Sequence, residues 1–118
     1  MHVNVSSDTE PEQLADLGRV AHECERLGMP LLAMMYARGA TTSPEATSGR
    51  TLAHLAAIAT DLGADVVKLD YAGTTEAMDQ VVDSCPLPIL VAGGPAAASD
   101  DAAVELGCRV AESRVAGL

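Results

Sequence analysis

The spacing of apolar positions along the chain changes period several times, from runs of strand length to the three- and four-residue spacing of amphipathic helices. The apolar runs of strand length lie at 3–5, 30–36, 65–71 and 89–92. Segments with helical spacing separate these runs. Strands that are apolar on both faces and alternate with helices indicate a parallel sheet covered by helices. We therefore predict an α/β fold of about four βα units, forming a single domain over residues 1–118.

Start and stop signals support the predicted helices. Thr9 and Glu12 have the spacing of a capping box, with proline in the first turn. The other predicted N-caps are Ser48, Thr74 or Thr75, and Ser99, and the predicted C-terminal stops are Gly28 and Gly63. The predicted inward faces are Leu14, Leu17, Ala21, Cys24 and Leu27, then Leu52, Leu55, Ala56, Ala59 and Leu62, then Met78, Val81 and Val82, and finally Val104, Cys108 and Ala111. Residues 37–49 are predicted to form a loop, and 115–118 to begin a further strand.

The net charge of −10 bears on possible partners. It repels phosphate backbones and anionic lipid headgroups, so we expect neither nucleic acid nor a membrane as a partner. No apolar run of about 18 residues and no secretory signal pattern is found in the sequence. The cysteines and histidines show no metal-site spacing: Cys24, Cys85 and Cys108, with His2, His22 and His54. We expect a cytoplasmic protein with reduced, mostly buried thiols.

Lys68 is the only lysine of the chain and lies within the apolar run 65–71. In parallel α/β folds the carboxyl ends of the strands face the functional crevice. Burial in apolar surroundings disfavours a charged amine, and the neutral amine is the form that attacks a carbonyl to give a Schiff base. Alternation along the strand places Lys68 on the same face as Val66 and Asp70. The alternative is a lysine that extends to solvent or pairs with Asp70 or Asp65.

Three further candidates lie at neighbouring strand ends. Tyr36 ends the run 30–36, and a positioned phenol acts as a general acid or base, although a half-buried structural tyrosine has the same pattern. Arg38 has the geometry to hold a phosphate or carboxylate, or is simply solvated. Gly93 and Gly94 permit the close backbone approach that an anion needs before a helix, but paired glycines are also common in turns.

Four segments, in order, resemble one enzyme family: HVNVSSDTEPEQLADLGRV, GMPLLAMMYARG, AHLAAIATDLGADVVKLDYAG and CPLPILVAGGP. They are similar to the archaeal-type class I aldolases, a family that contains class I fructose-1,6-bisphosphate aldolase and 2-amino-3,7-dideoxy-D-threo-hept-6-ulosonate synthase. The resemblance covers residues 2 to about 95. The sequence MMY at 34–36 is closer to the synthase branch.

The resemblance implies roles for each candidate residue. Lys68 is implied as the Schiff-base lysine, Tyr36 as the proton-transfer residue, and Gly93 and Gly94 as backbone donors to a substrate phosphate, with Arg38 beside them. It also implies a partial TIM (β/α)8 barrel that supplies strands four to seven, a mechanism without metal or cofactor, and a ring-like homo-oligomer. In the synthase branch a keto sugar phosphate forms the imine, and aspartate semialdehyde accepts the remaining fragment. The product enters a route to 3-dehydroquinate and the aromatic amino acids.

Several family features have no counterpart in this chain. These are an acid/base aspartate near the first strand and a late glycine-arginine segment of the phosphate site, and Ala37 replaces a usual proline. Two alternatives therefore stay open: a fructose-bisphosphate aldolase of the same family, and a non-catalytic fragment that acts as a structural or interaction remnant. Four βα units would also leave open sheet edges and an apolar inner face, from which we expect self-association.

Overall fold

A four-stranded parallel sheet, in the order β1-β2-β3-β4, forms the centre of the fold. The structure is a computed structural model that describes residues 1–39, 44–93 and 99–118. The strands are β1 (His2–Val5), β2 (Leu32–Ala37), β3 (Val66–Leu69) and β4 (Ile89–Val91). The helices are α1 (Glu10–Leu27), α2 (Gly49–Asp61), α3 (Thr75–Ser84) and α4 (Asp100–Glu112), with a short 3₁₀-helix at Pro44–Thr47 before α2. The predicted succession of βα units is confirmed.

The two faces of the sheet differ in burial. Each strand lies beside the preceding one, and right-handed crossovers in one direction place the intervening helices on the same face. The side chains on that face are buried: Val3, Ala33, Met35, Val67, Leu69, Ile89 and Val91. They pack against buried helix residues, which include Leu17, Leu52, Leu55, Met78 and Val81. The opposite face, called the open face below, corresponds to the interior of a barrel. A parallel sheet with its helices on one face agrees with the predicted partial barrel of about four βα units.

Three of the four predicted N-caps form as expected. The side chains of Ser48, Thr74 and Ser99 each accept a hydrogen bond of 3.2 Å from the backbone N–H three residues later. The capping box at Thr9 is wrong: Thr9 precedes α1, but its side chain accepts no backbone hydrogen bond. Its backbone, with ψ of 16°, lacks the extended conformation of a typical N-cap, and its hydroxyl accepts from the Gln13 side-chain amide instead.

The predicted inward face of α4 is also wrong. Val104 is 65% exposed, Cys108 and Ala111 are exposed as well, and Val110 is the buried residue of this helix. The helix follows the last named strand and packs against α3, so a different stripe of its surface faces the protein.

The prediction of mostly buried thiols is wrong too, because Cys24 and Cys85 are only half-buried. All three thiols are free.

Both ends of the chain extend the pairing of the sheet. The N-terminal amine donates to the carbonyl of Leu32, beside β1. Near the other end, the predicted further strand is present as one parallel bridge between Leu90 and Gly117. In the part of the chain that the structure describes, no helix combines the length and the hydropathy of a membrane span.

Candidate active site

Lys68 and Tyr36 lie on the open face, at the carboxyl ends of adjacent strands. Met34 on β2 is the register partner of Lys68 on β3, so Tyr36 lies two residues further along the same face. Long side chains at diagonal positions on one face of a sheet are within reach of each other. The structure therefore brings together the two residues that the sequence proposed for chemistry.

Lys68 is half-buried, and it has no carboxylate within 4.0 Å among the described residues. The alternative in which Lys68 pairs with Asp65 is not found, because that carboxylate accepts the backbone N–H of Leu31 at 2.7 Å, at the other end of the strand. The alternative in which Lys68 pairs with Asp70 is not found either, because Asp70 pairs with Arg38. The two carboxylates nearest in sequence are thus engaged elsewhere, which leaves the amine accessible from the open face.

The ring of Tyr36 lies between two other side chains. Tyr36 is only 8% exposed. The His2 imidazole approaches its ring edge-on, with centroids 5.1 Å apart and an interplanar angle of 83°. The Arg38 Cζ lies 4.1 Å from the ring centroid, which is a cation–π geometry. These contacts fix the orientation of a phenol at the rim, as a proton-transfer residue requires.

The segment after β2 holds Arg38 close to the end of β1. The Arg38 backbone N–H donates to the Val5 carbonyl at 3.1 Å, which prolongs the strand pairing beyond Ala37. An added Cβ on Gly39 would lie 1.6 Å from the carbonyl oxygen of Ser6, so a side chain at this position would separate the two segments. Glycine therefore permits the close approach of this segment to the residues that follow β1.

The predicted phosphate donors are described only in part. Gly93 is exposed and follows β4, where the Ala92 N–H donates to the Leu69 carbonyl at 2.7 Å. This position is at the same carboxyl edge as the end of β3. Gly94 lies outside the described residues, so the structure does not test its predicted role.

Sequence reasoning missed two neighbours of Tyr36. His2 and Asn4 occupy the open face of β1, and the His2 Nε2 and Asn4 Oδ1 atoms are 3.1 Å apart. The alternation of polar His2 and Asn4 with apolar Val3 and Val5 was the available signal. The pairing of Asp70 with Arg38 had no sequence signal, because it joins residues that are 32 positions apart.

Fold and site together define a partial (β/α)8 barrel with an amine and a phenol at the carboxyl ends of adjacent strands. The chain belongs to the DeoC/LacD aldolase family, because the profile of the DeoC/LacD family aldolases matches residues 1–115.

Two curated relatives are named as synthases. The chain is 44% identical over 93 residues to the 2-amino-3,7-dideoxy-D-threo-hept-6-ulosonate synthase of Halobacterium salinarum. It is 43% identical over 95 residues to the 2-amino-4,5-dihydroxy-6-oxo-7-(phosphonooxy)heptanoate synthase of Streptomyces griseus. These matches cover 79% and 80% of this chain but 34% of each relative. The chain therefore spans about a third of the length of these relatives.

The fold is also that of a solved Schiff-base-forming fructose-1,6-bisphosphate aldolase. The two structures superpose with a TM-score of 0.89 at 25% sequence identity. The superposition covers 98% of this chain and 46% of the aldolase. The described sheet and helices thus correspond to somewhat less than half of that barrel.

Proposed function

We propose that this chain carries the Schiff-base centre of a class I aldolase-type enzyme, with Lys68 as the nucleophile and Tyr36 as the proton-transfer residue. The observation that carries the proposal is a lysine on the open face that has no ion-pair partner among the described residues and lies diagonal to a tyrosine, whose ring contacts Arg38 and His2. Membership in the DeoC/LacD aldolase family supports it. The proposed class of substrate is a keto sugar phosphate.

The chemistry follows from the two side chains. The neutral amine of Lys68 attacks the substrate carbonyl carbon and forms a C–N bond, and a proton passes from the nitrogen to the carbonyl oxygen, which becomes a hydroxyl. Tyr36 donates a proton to that hydroxyl, which leaves as water while the nitrogen lone pair forms the protonated imine. The protonated imine accepts the electron pair of the C–C bond that breaks and becomes an enamine, while the Tyr36 phenolate takes the hydroxyl proton of the departing aldehyde. In this proposal Arg38 and the backbone at Gly93 and Gly94 hold the substrate phosphate.

The particular activity that we propose is that of 2-amino-3,7-dideoxy-D-threo-hept-6-ulosonate synthase. The identity of 44% to the Halobacterium salinarum enzyme supports it. In this reaction aspartate semialdehyde would accept the fragment held on Lys68, and the product would feed aromatic amino acid synthesis. Fructose-1,6-bisphosphate cleavage is the second candidate, and the TM-score of 0.89 to such an aldolase favours it.

Borohydride trapping tests the proposal. The chain is incubated with a keto sugar phosphate and reduced, and the adduct is mapped by mass spectrometry. We expect an adduct at Lys68 and none in Lys68→Arg, because a guanidinium does not form the imine. The substrate that gives more adduct distinguishes the two activities. A folded wild-type chain that forms no adduct would favour the third reading, a non-catalytic structural or interaction remnant.

We also propose that the chain forms a homo-oligomer. The open face carries half-buried apolar side chains, which are Leu32, Met34, Val66 and Leu90. In a closed barrel the corresponding face is packed against the remaining strands. A second copy that covers this surface would remove it from water.

A further inference from the structure

We propose that Asp70 is a positioning residue that holds the Arg38 guanidinium beside Tyr36, so that its free N–H groups are directed to the anionic group of the substrate. The inference rests on the proposed function, because it assigns a new role within the same site. Asp70 lies just after β3, two residues beyond Lys68, and its side chain is 21% exposed.

Asp70 and Arg38 form a long ion pair. The Asp70 Oδ1 lies 3.8 Å from the Arg38 Nη2, which is an ion pair but too long for a hydrogen bond. Asp70 therefore attracts the guanidinium without occupying its donors. An exposed arginine has many rotamers, so an attraction that favours one of them pre-organises the site.

The Arg38 side chain has N–H donors that no neighbour among the described residues uses. Its side chain is 58% exposed, and among the described residues its recorded partners are Asp70 and the Tyr36 ring. The cation–π contact with the ring uses no N–H group as a hydrogen-bond donor, and no acceptor among the described residues takes a hydrogen bond from the Arg38 side chain. Its N–H groups form a rigid planar fork that matches a phosphate. Asp70 and Tyr36 thus both contact the Arg38 guanidinium, and its N–H donors stay available to bind an anion.

Asp70 also carries a negative charge, which by itself would repel a phosphate. Removal of this charge therefore changes the affinity for a phosphorylated substrate in opposite directions, depending on whether Asp70 mainly repels the phosphate or mainly positions Arg38. If repulsion dominated, Asp70→Asn would bind a phosphorylated substrate more tightly. If positioning dominates, as we propose, the same substitution weakens that binding.

The test measures the concentration of dihydroxyacetone phosphate at which borohydride trapping on Lys68 is half-maximal. We expect Asp70→Asn to raise this concentration about two- to fivefold, the range that exposed ion pairs contribute. Dihydroxyacetone, which lacks the phosphate, should show no change. Asp61→Asn is the matched control, because it removes the same charge from an exposed position at the end of α2. A half-maximal concentration that is unchanged or lower in Asp70→Asn overturns the proposal.

A double variant assigns the effect to Arg38. If Asp70 acts through Arg38, Asp70→Asn adds nothing in an Arg38→Gln background. Additive losses in the double variant would mean that Asp70 acts independently, and would overturn the positioning role.

A measurement without substrate separates this inference from the proposed function. In a Tyr71→Phe background Tyr36 is the only tyrosine, and the chain has no tryptophan, so near-ultraviolet circular dichroism reports on the Tyr36 ring. We expect Arg38→Gln to change this band and Asp70→Asn to change it in the same direction. If the band changes in Asp70→Asn as expected but no adduct forms on Lys68, the proposed function is overturned and the positioning of Arg38 by Asp70 is not. An Asp70→Asn band identical to that of the parent overturns the inference, whether or not an adduct forms.

Discussion

At the scale of single residues, the candidate site depends on how Tyr36 is held. The chain contains two tyrosines, and they lie on opposite faces of the sheet. Tyr36 is on the open face with Arg38 over its ring, while Tyr71 packs against the hydrophobic core. The two phenols are chemically identical, so their surroundings decide which one is available for proton transfer.

This difference predicts the result of removing each hydroxyl. Tyr36→Phe keeps the ring and its contact with Arg38 but removes the proton donor. We expect the rate of adduct formation on Lys68 to fall by about 10²–10⁴-fold, the usual contribution of general acid–base catalysis. The measurement is the time course of borohydride trapping. Tyr71→Phe is the matched control and should keep the wild-type rate, and an equal loss in both variants would contradict the assignment.

At the scale of secondary-structure elements, Arg114 connects the end of α4 to α3. Its guanidinium pairs with Asp83 at 2.7 Å and with Asp79 at 3.4 Å. Its backbone N–H also donates to the Asp79 carboxylate at 2.8 Å. The hydrogen bond and the charge of Arg114 lower the pKa of the Asp83 carboxyl below its ordinary value. The same pairing raises the pKa of the Arg114 guanidinium.

The lowered pKa of Asp83 predicts how this connection depends on pH. A carboxyl with a depressed pKa in the folded state stabilises the fold at neutral pH, and this contribution is lost as pH falls below the unfolded value of about 3.9 and through the folded pKa. We therefore expect Asp83→Asn to unfold at lower urea concentration than wild type at neutral pH, and the difference to shrink in acid. Salt should also reduce the difference, because the pair is exposed.

Urea unfolding followed by far-ultraviolet circular dichroism at several pH values measures this effect. Asp8→Asn is the control, since Asp8 is exposed and has no ion pair among the described residues. A pH-independent difference between Asp83→Asn and wild type would show that the carboxylate charge is not what connects the helices.

At the scale of the whole molecule, the uncovered open face predicts self-association. We expect the elution volume in size-exclusion chromatography to decrease as the loaded concentration rises. Leu32→Glu places a charge on the open face and should shift the chain toward the monomer. Val104→Glu is the control, because Val104 is 65% exposed on α4, away from the open face. A folded monomer at every concentration would contradict the proposed homo-oligomer.

The helices and strands, and most of their boundaries, could be predicted from the amino-acid sequence. The period of the apolar positions and the serine and threonine caps depend on residues only a few positions apart, so they are readable without tertiary contacts. For the same reason the alternation along 65–71 correctly placed Lys68 on the face opposite Val67 and Leu69. The resemblance to class I aldolases identified the candidate lysine and tyrosine, and the structure brings these two together.

Long-range packing determines which side chains meet at the rim and which helix faces are buried. The contacts of Arg38 with Tyr36 and Asp70, and of His2 with Tyr36, depend on the register of neighbouring strands. The buried face of α4 depends on its place beside α3 at one side of the sheet. Such contacts join residues distant in sequence, and their free energy arises only when the chain is packed. Periodicity therefore predicts the strands and helices but leaves the partners of each side chain to the fold.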